Sequence, residues 1–411
     1  MAEATLLIHD LAAAVTPAGS GPLRGREFGA VRIHSPVSIA IAGERIAAVG
    51  PPTEILRGLP SGEDYESVDG RGKVAFPGLV DCHTHPAFLG DRAAEFEARS
   101  SGATYEEIHA SGGGIRSTVV ATRAGSESDL RSSVERHLGW MLEHGTTTAE
   151  AKSGYGLDRE TELKSLRAIQ DAGRRSPVDV YPTFLGAHTV PPEFESAAEY
   201  VEFVIREVLP EAAPLARSAD VFLERGSFEE TEARRYLEAC REYGLAPRLH
   251  ADQFSHRGAI PLAVELGARS VDHLEATQHE AAILLAKSDV AAVLLPACGL
   301  FLGLPLPPAR LLADEGAILA LATDFNPGSS FCESLPLVMN LACTRLGLSP
   351  AEALCACTAN AAHVLGAEDV GRLAPGYEAD VLLLDAPDWR YLAYHLGGDR
   401  FAARIKSGRV L

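Results

Sequence analysis

Residues able to do chemistry gather in a few short motifs of this chain. In DCHTHP, His83 and His85 stand two residues apart, and on a strand that spacing turns both imidazoles to one face, within reach of one ion. His250 in RLHAD and Asp324 in LATDFNPG end two further strand-like segments and add a third nitrogen and a hard carboxylate oxygen. Three histidines and one aspartate suit zinc or ferrous iron better than calcium or magnesium. Such an ion lowers the pKa of water from about 15.7 toward ~7 and polarises a carbonyl, which makes hydrolysis of an unreactive amide feasible at neutral pH. A proton shuttle is also needed. His273 in VDHLE comes at the next strand end after His250, and its unperturbed pKa of ~6.5 suits transfer in either direction. A buried structural histidine is the alternative reading. Cys82 lies inside the HxH motif, but on a strand its side chain points away from the flanking histidines, so it is given no ligand role.

Positioning these residues requires a repeated scaffold. From 75 to 366, eight short β-rich segments (AFPGLVDCHTH, TTTAEAKSG, VDVYPTFLGAH, ADVFLERG, APRLHAD, RSVDHLE, VAAVLLP and AILALATDF) alternate with amphipathic stretches such as ETELKSLRAIQDAG. That is the pattern of βα units on a parallel sheet, and eight of them predict a closed TIM-like (β/α)8 barrel. Nearly every segment ends in a chemically able residue: His83 and His85, Lys152, His188, Glu224, His250, His273 and Asp324. Barrel active sites sit at the C-terminal strand ends. Residues 1–74 and 367–411 alternate apolar and polar residues around turns, and are expected to combine into one small composite β-sandwich domain.

Composition narrows the function classes. The 411 residues are 46% hydrophobic, enough for a barrel core plus a second domain. A formal charge of −19 has the wrong sign for a phosphate backbone or an anionic membrane, so neither nucleic acid nor membrane is an expected partner. The opening residues lack the basic region of a signal peptide, and no apolar run approaches the ~20 residues that span a bilayer. Seven cysteines without framework spacing predict free thiols in a reducing compartment, the cytoplasm.

The segments PGLVDCHTHPAFLGDRAAEF, SGGGIRSTVVATR, EAKSGYGL, FLGAHTVPPEF, LHADQFS, SVDHLEAT, LATDFNPGSS and GRLAPGYEADVLLLD make nearly the whole chain resemble the imidazolonepropionase family of the amidohydrolase superfamily. The resemblance implies hydrolysis of the ring amide of 4-imidazolone-5-propanoate to N-formimidoyl-L-glutamate, a step of histidine degradation. It places the metal on His83, His85, His250 and Asp324, in agreement with the residues themselves, and implies a homodimer. Substrate contacts fall on Arg92, Tyr155, His188, Gln253, Asn326, Gly328 and Ser329, and catalytic roles on His273, Asp324 and Gln253. A propionate tail needs a cation, and Arg92 offers a planar fork, with Arg116 as a second candidate. Tyr155 is expected to swing on a flexible SGYG loop, and Asn326, Gly328 and Ser329 to leave backbone N–H groups available on a tight turn.

The chain departs from the family pattern at three points. Cys82 replaces a commoner proline, Leu223 stands where cysteine is expected, and Gln253 stands where some members carry glutamate. A glutamine cannot exchange protons, so position 253 orients substrate and does not act as base. Binuclear relatives bridge two ions with a fourth-strand lysine, which ADVFLERG lacks, so one ion per chain, zinc or iron, is expected. Lys152 is left a structural or substrate-side role. Either Asp324 or His273 takes the proton of the attacking water, and His273 passes it to the departing nitrogen. The competing readings are a mononuclear deaminase of a purine or pyrimidine and a barrel scaffold without catalysis.

Overall fold

The computed structural model describes residues 4–59, 65–102, 113–398 and 400–411. Its centre is a parallel eight-stranded sheet in sequential order. The barrel strands are β1 (Leu79–Asp81), β2 (Thr146–Lys152), β3 (Asp179–Ala187), β4 (Ser218–Leu223), β5 (Ala246–Ala251), β6 (Ser270–His273), β7 (Ala291–Leu294) and β8 (Ile318–Leu321).

The ring closes just beyond the C-terminal ends of β1 and β8. There the His85 N–H donates to the Phe325 carbonyl (2.8 Å) and the Asp324 N–H to the His83 carbonyl (3.1 Å), flanking a parallel bridge between Thr84 and Phe325. Asp81 reinforces the seam by accepting from the Thr323 N–H (3.1 Å) and hydroxyl (2.6 Å). Burial pushes its carboxyl up to about 7.

The surrounding helices carry local signals that explain them. Glu127–Glu143 starts at a Ser126–Asp129 capping box and buries Leu130, Val134, Leu138 and Met141, a spacing of four, four and three that keeps one apolar face on the sheet. Arg159–Arg175 is capped by Asp158 and buries Leu163, Leu166 and Ile169. Each such side chain contributes about 1.5–3 kcal/mol on leaving water.

The segment AFPGLVDCHTH, expected as one strand, is divided. Lys73–Pro77 belongs to a six-stranded sheet of terminal segments, and the chain enters the barrel only at Leu79. The change of sheet falls at Gly78, whose N–H donates to the Asp380 carbonyl (2.9 Å) and where a Cβ would collide with Thr147. That sheet runs Arg409–Val410, Phe401–Lys406, Val381–Asp385, Lys73–Pro77, Ala13–Pro17, Val31–His34, so both chain ends contribute to it. A four-stranded sheet of Arg45–Gly50, Val37–Ala42, Leu6–Leu11 and Glu66–Asp69 faces it across a core that includes Ile8, Ile39, Val381 and Ile405. Among the described residues no helix is long and apolar enough to cross a membrane.

Lys406 ties this sandwich to the base of the barrel, its Nζ reaching Asp380 (3.0 Å) and Asp179 at the start of β3 (2.8 Å). Asp380 is buried, so Lys406→Met strands a carboxylate without its cation. The expected loss is about 3 kcal/mol, read as a lower urea midpoint, and an unchanged midpoint would refute the linkage.

Candidate active site

The HxH pair, expected on a strand, lies just past β1 at the closing seam. His83 and His85 still converge: their Nε2 atoms are 3.2 Å apart, and Asp324 Oδ1 lies 3.5 Å from the first and 3.4 Å from the second. The His250 ring meets the His83 ring edge-on at 4.6 Å, and the His273 ring is 5.3 Å from that of His250. All five side chains are buried. His273 and Asp324 hold left-handed backbone angles (φ 88° and 53°), which costs an L residue of the order of 1–3 kcal/mol and persists only where the surroundings enforce it.

The tautomers follow from what stands behind each ring. His83 Nδ1 donates to Asp272 (2.5 Å) and His250 Nδ1 to Asp220 (3.1 Å), so each Nε2 presents a lone pair to the centre. Burial pushes His83 well below its ordinary pKa and His85 down to about 4. Burial opposes ionisation of Asp324, but its bond to His85 and the charges of His273 and His85 hold it below the usual carboxylate range. The Nε2 atoms of His83 and His85 and the Asp324 oxygen, crowded within 3.5 Å of one another, are donors of the kind that a shared cation satisfies. The donor set therefore fits a divalent ion of the zinc or iron type.

Behind the histidines lies a buried charge lattice that sequence reading did not assemble. Asp272 also accepts from Arg248 Nη2 (2.9 Å), and Asp220 from Lys152 Nζ (2.7 Å). Both cations meet on one oxygen of Glu150, each at 2.7 Å, with the Thr183 hydroxyl at 2.6 Å. Lys152 is thereby structural. The available signal was spacing: Glu150 with Lys152, and Arg248 with His250, lie two apart on strands and so share a face.

Substrate-side candidates line the mouth. Arg92 packs its guanidinium on Gly328, where a Cβ would overlap it, and its Nε and Nη2 bind Glu95 at 2.8 and 2.7 Å. The Nη1 side remains toward the Asp324 turn. Glu95 also accepts from the Gly114 N–H (2.9 Å) and the Ser117 hydroxyl (3.1 Å), binding the GGGIRST motif to Arg92; Ser111 and Gly112, at the start of the quoted segment, lie outside the described residues. Arg116 is exposed on the helix Ile115–Ala124. The amides of Gly328 and Ser329, expected to be available, point at Asn326 Oδ1 (2.8 and 2.7 Å), while Asn326 Nδ2 holds the Asp324 carbonyl (2.6 Å). Asn326 thus fixes the turn that aims Asp324.

The SGYG loop is pinned rather than free to swing. Buried Glu162 accepts from the N–H groups of Gly154, Gly156 and Leu157 (3.1, 2.8 and 2.9 Å), and Tyr155 is buried. His188 donates Nδ1–H to the Gly154 carbonyl (2.9 Å) and stacks on His85, with burial holding its pKa down at about 3. Glu224 accepts from the N–H groups of Phe254 and Ser255 and from the Ser255 hydroxyl, which anchors the loop bearing Gln253.

Residues 74–408 match the amidohydrolase family. The chain is 74% identical to an imidazolonepropionase of Rubrobacter xylanophilus, over 100% of this chain and 99% of that protein. It is 45% identical to an imidazolonepropionase of Chloroflexus aggregans over the same shares. Among solved structures, an atrazine chlorohydrolase mutant from Arthrobacter aurescens complexed with zinc and atraton matches with TM-score 0.69 at 18% identity, over 99% of this chain and 95% of that one. A triazine hydrolase variant matches with TM-score 0.72 at 19% identity, over 99% and 94%. These two likenesses speak to the fold.

Glu150→Gln removes the charge shared by Lys152 and Arg248 and loosens both aspartates. Metal affinity, measured by chelator competition, should fall about 10–100-fold; an unchanged affinity would show that the lattice does not act on the histidines. Acid should also destabilise the metal-free fold. The pKa values of His85, His137 and His188 are held at about 4, 4 and 3, chiefly by burial, below the ~6.5 of an unfolded histidine. The unfolded chain therefore binds protons first, and stability falls as pH drops from ~6.5 toward ~4, by up to ~1.4 kcal/mol per unit for each histidine. Equal urea midpoints at about pH 7 and about pH 5 would contradict this.

Proposed function

Because the chain belongs to the amidohydrolase family and, over its full length, to the imidazolonepropionases within it, we propose that its barrel mouth hydrolyses the ring amide of 4-imidazolone-5-propanoate to N-formimidoyl-L-glutamate. One water is added and one carbon–nitrogen bond is broken. The observation that carries the reading is the meeting of two subsites on one turn: Asp324 faces His83 and His85, and Gly328, four residues on, lies against Arg92. An amide-cleaving centre and a cation for a propionate tail are thus held beside each other.

His83, His85, His250 and Asp324 would hold one divalent ion, zinc or ferrous iron. When bound, such an ion supplies Lewis acidity, polarising a carbonyl and acidifying water. Arg92 takes the substrate carboxylate through the guanidinium edge that Glu95 leaves, with Ser329 and the Asn326–Gly328 backbone shaping that end of the pocket. Tyr155 and His188 form an aromatic wall beside His85 for the planar ring. Gln253, an amide, orients the ring by hydrogen bonding. Asp324 or His273 removes the proton of the attacking water.

His273 then delivers a proton to the departing nitrogen. Burial alone would lower the pKa of His273, but Glu275, followed by Asp324 and Asp272, raises it above the ordinary value, which suits a residue that must carry a proton. All seven cysteines are free, which supports a cytoplasmic setting, and a homodimer is the proposed assembly.

The test is turnover of freshly generated 4-imidazolone-5-propanoate, followed by loss of its ultraviolet absorbance, before and after metal stripping. Turnover should vanish with the metal and return with zinc or ferrous iron. No turnover by fully loaded protein would defeat the substrate assignment, and ammonia release from an aromatic amine would favour a deaminase. Arg92→Lys, which keeps the charge and loses the planar fork, should raise KM about 10–100-fold with a smaller effect on kcat; an unchanged KM would remove Arg92 from the carboxylate subsite.

A further inference from the structure

One thiol stands at the mouth without a part in this chemistry. Cys298 lies on the helix Pro296–Leu302, directly after β7, and is fully buried. Its sulfur, a nitrogen of His273 and a carboxylate oxygen of Asp324 all lie within 4.8 Å of one another, and Gln253 Nε2 stands 3.7 Å from the sulfur. A second observation points to positive charge at the same place. The Glu275 side chain is 2% exposed with Oε1 3.7 Å from His273 Nδ1, and neither of its oxygens has a hydrogen-bond partner. A buried carboxylate left this way is costly, and a cation at His273 would relieve it.

We propose that Cys298, His273 and Asp324 form a second cation position, selective for thiophilic divalent ions such as cadmium or excess zinc, which shares Asp324 with the ion of the hydrolytic centre. The proposal rests on reading this mouth as a metal-dependent hydrolase. A soft sulfur donor selects such ions over magnesium or calcium. The ligand is the thiolate, so the sulfur–metal bond forms as the thiol proton leaves to solvent, with no change of oxidation state. An ion seated there occupies His273, the proton carrier, and so inhibits turnover.

The experiment is a cadmium titration of the zinc-loaded protein, following the ultraviolet cadmium–thiolate charge-transfer band, the bound zinc and cadmium, and turnover. In the native chain the band should grow as a second ion binds while turnover falls. Cys298→Ala should keep the first ion and its turnover, lose the band, and raise the inhibition constant for cadmium at least about tenfold. Cys298→Ser, which preserves volume and presents a harder donor, should behave like the alanine variant and guards against a packing defect. Band and inhibition persisting in both variants would overturn the proposal, as would a native chain that binds one ion only. Failure of the functional assignment looks different: zinc-loaded protein would not turn over the imidazolone at all, whatever the thiolate band does.

Discussion

The centre depends on one oxygen of a buried glutamate. Glu150 holds Lys152 and Arg248 at equal distance; each cation braces an aspartate, and each aspartate fixes the tautomer of a histidine. Taking five charges out of water is costly, and their mutual attraction offsets that cost only when the geometry satisfies every donor. The lattice converts that requirement into rigidity. Two imidazoles turn their Nε2 atoms to the mouth because each spends its Nδ1–H on the aspartate behind it.

A different constraint places the remaining donors. His85 and Asp324 are held by the main-chain bonds that close the barrel between β1 and β8, so their separation is set by strand geometry and not by side-chain choice. The turn after Asp324 is stapled by Asn326 and capped by Arg92 lying on a glycine. Charged lattice on one side and closing seam on the other leave the donors little freedom, which is what pre-organisation of a reaction centre requires.

Much of this was legible in the residues. The HxH spacing, the strand ends at His250, His273 and Asp324, and the alternation of short and long segments led to a barrel whose strand ends bring together His and Asp groups able to hold a metal. The break at Gly78 was hidden because a continuous apolar run does not announce a change of sheet. Asp220 and Asp272 were passed over because their partners lie on other strands, and sequence spacing does not encode register between them. The loop bearing Tyr155 reads as flexible from its glycines, whereas Glu162, a turn further on in a helix, immobilises it. Asn326 and Glu224 looked like groups for a ligand, and each instead spends its hydrogen bonds on its own surroundings.

The seam between the first and last barrel strands also bears on how the protein is born. His83 and His85 leave the ribosome long before Asp324, and a pair of bare imidazoles on an unfinished chain would bind indiscriminately any cation in the cell that favours nitrogen. The Asp324 carboxylate joins them only when the final strand docks and the ring shuts. The donor set is thus complete only where the eighth strand meets the first, so its geometry belongs to the closed barrel rather than to the nascent chain.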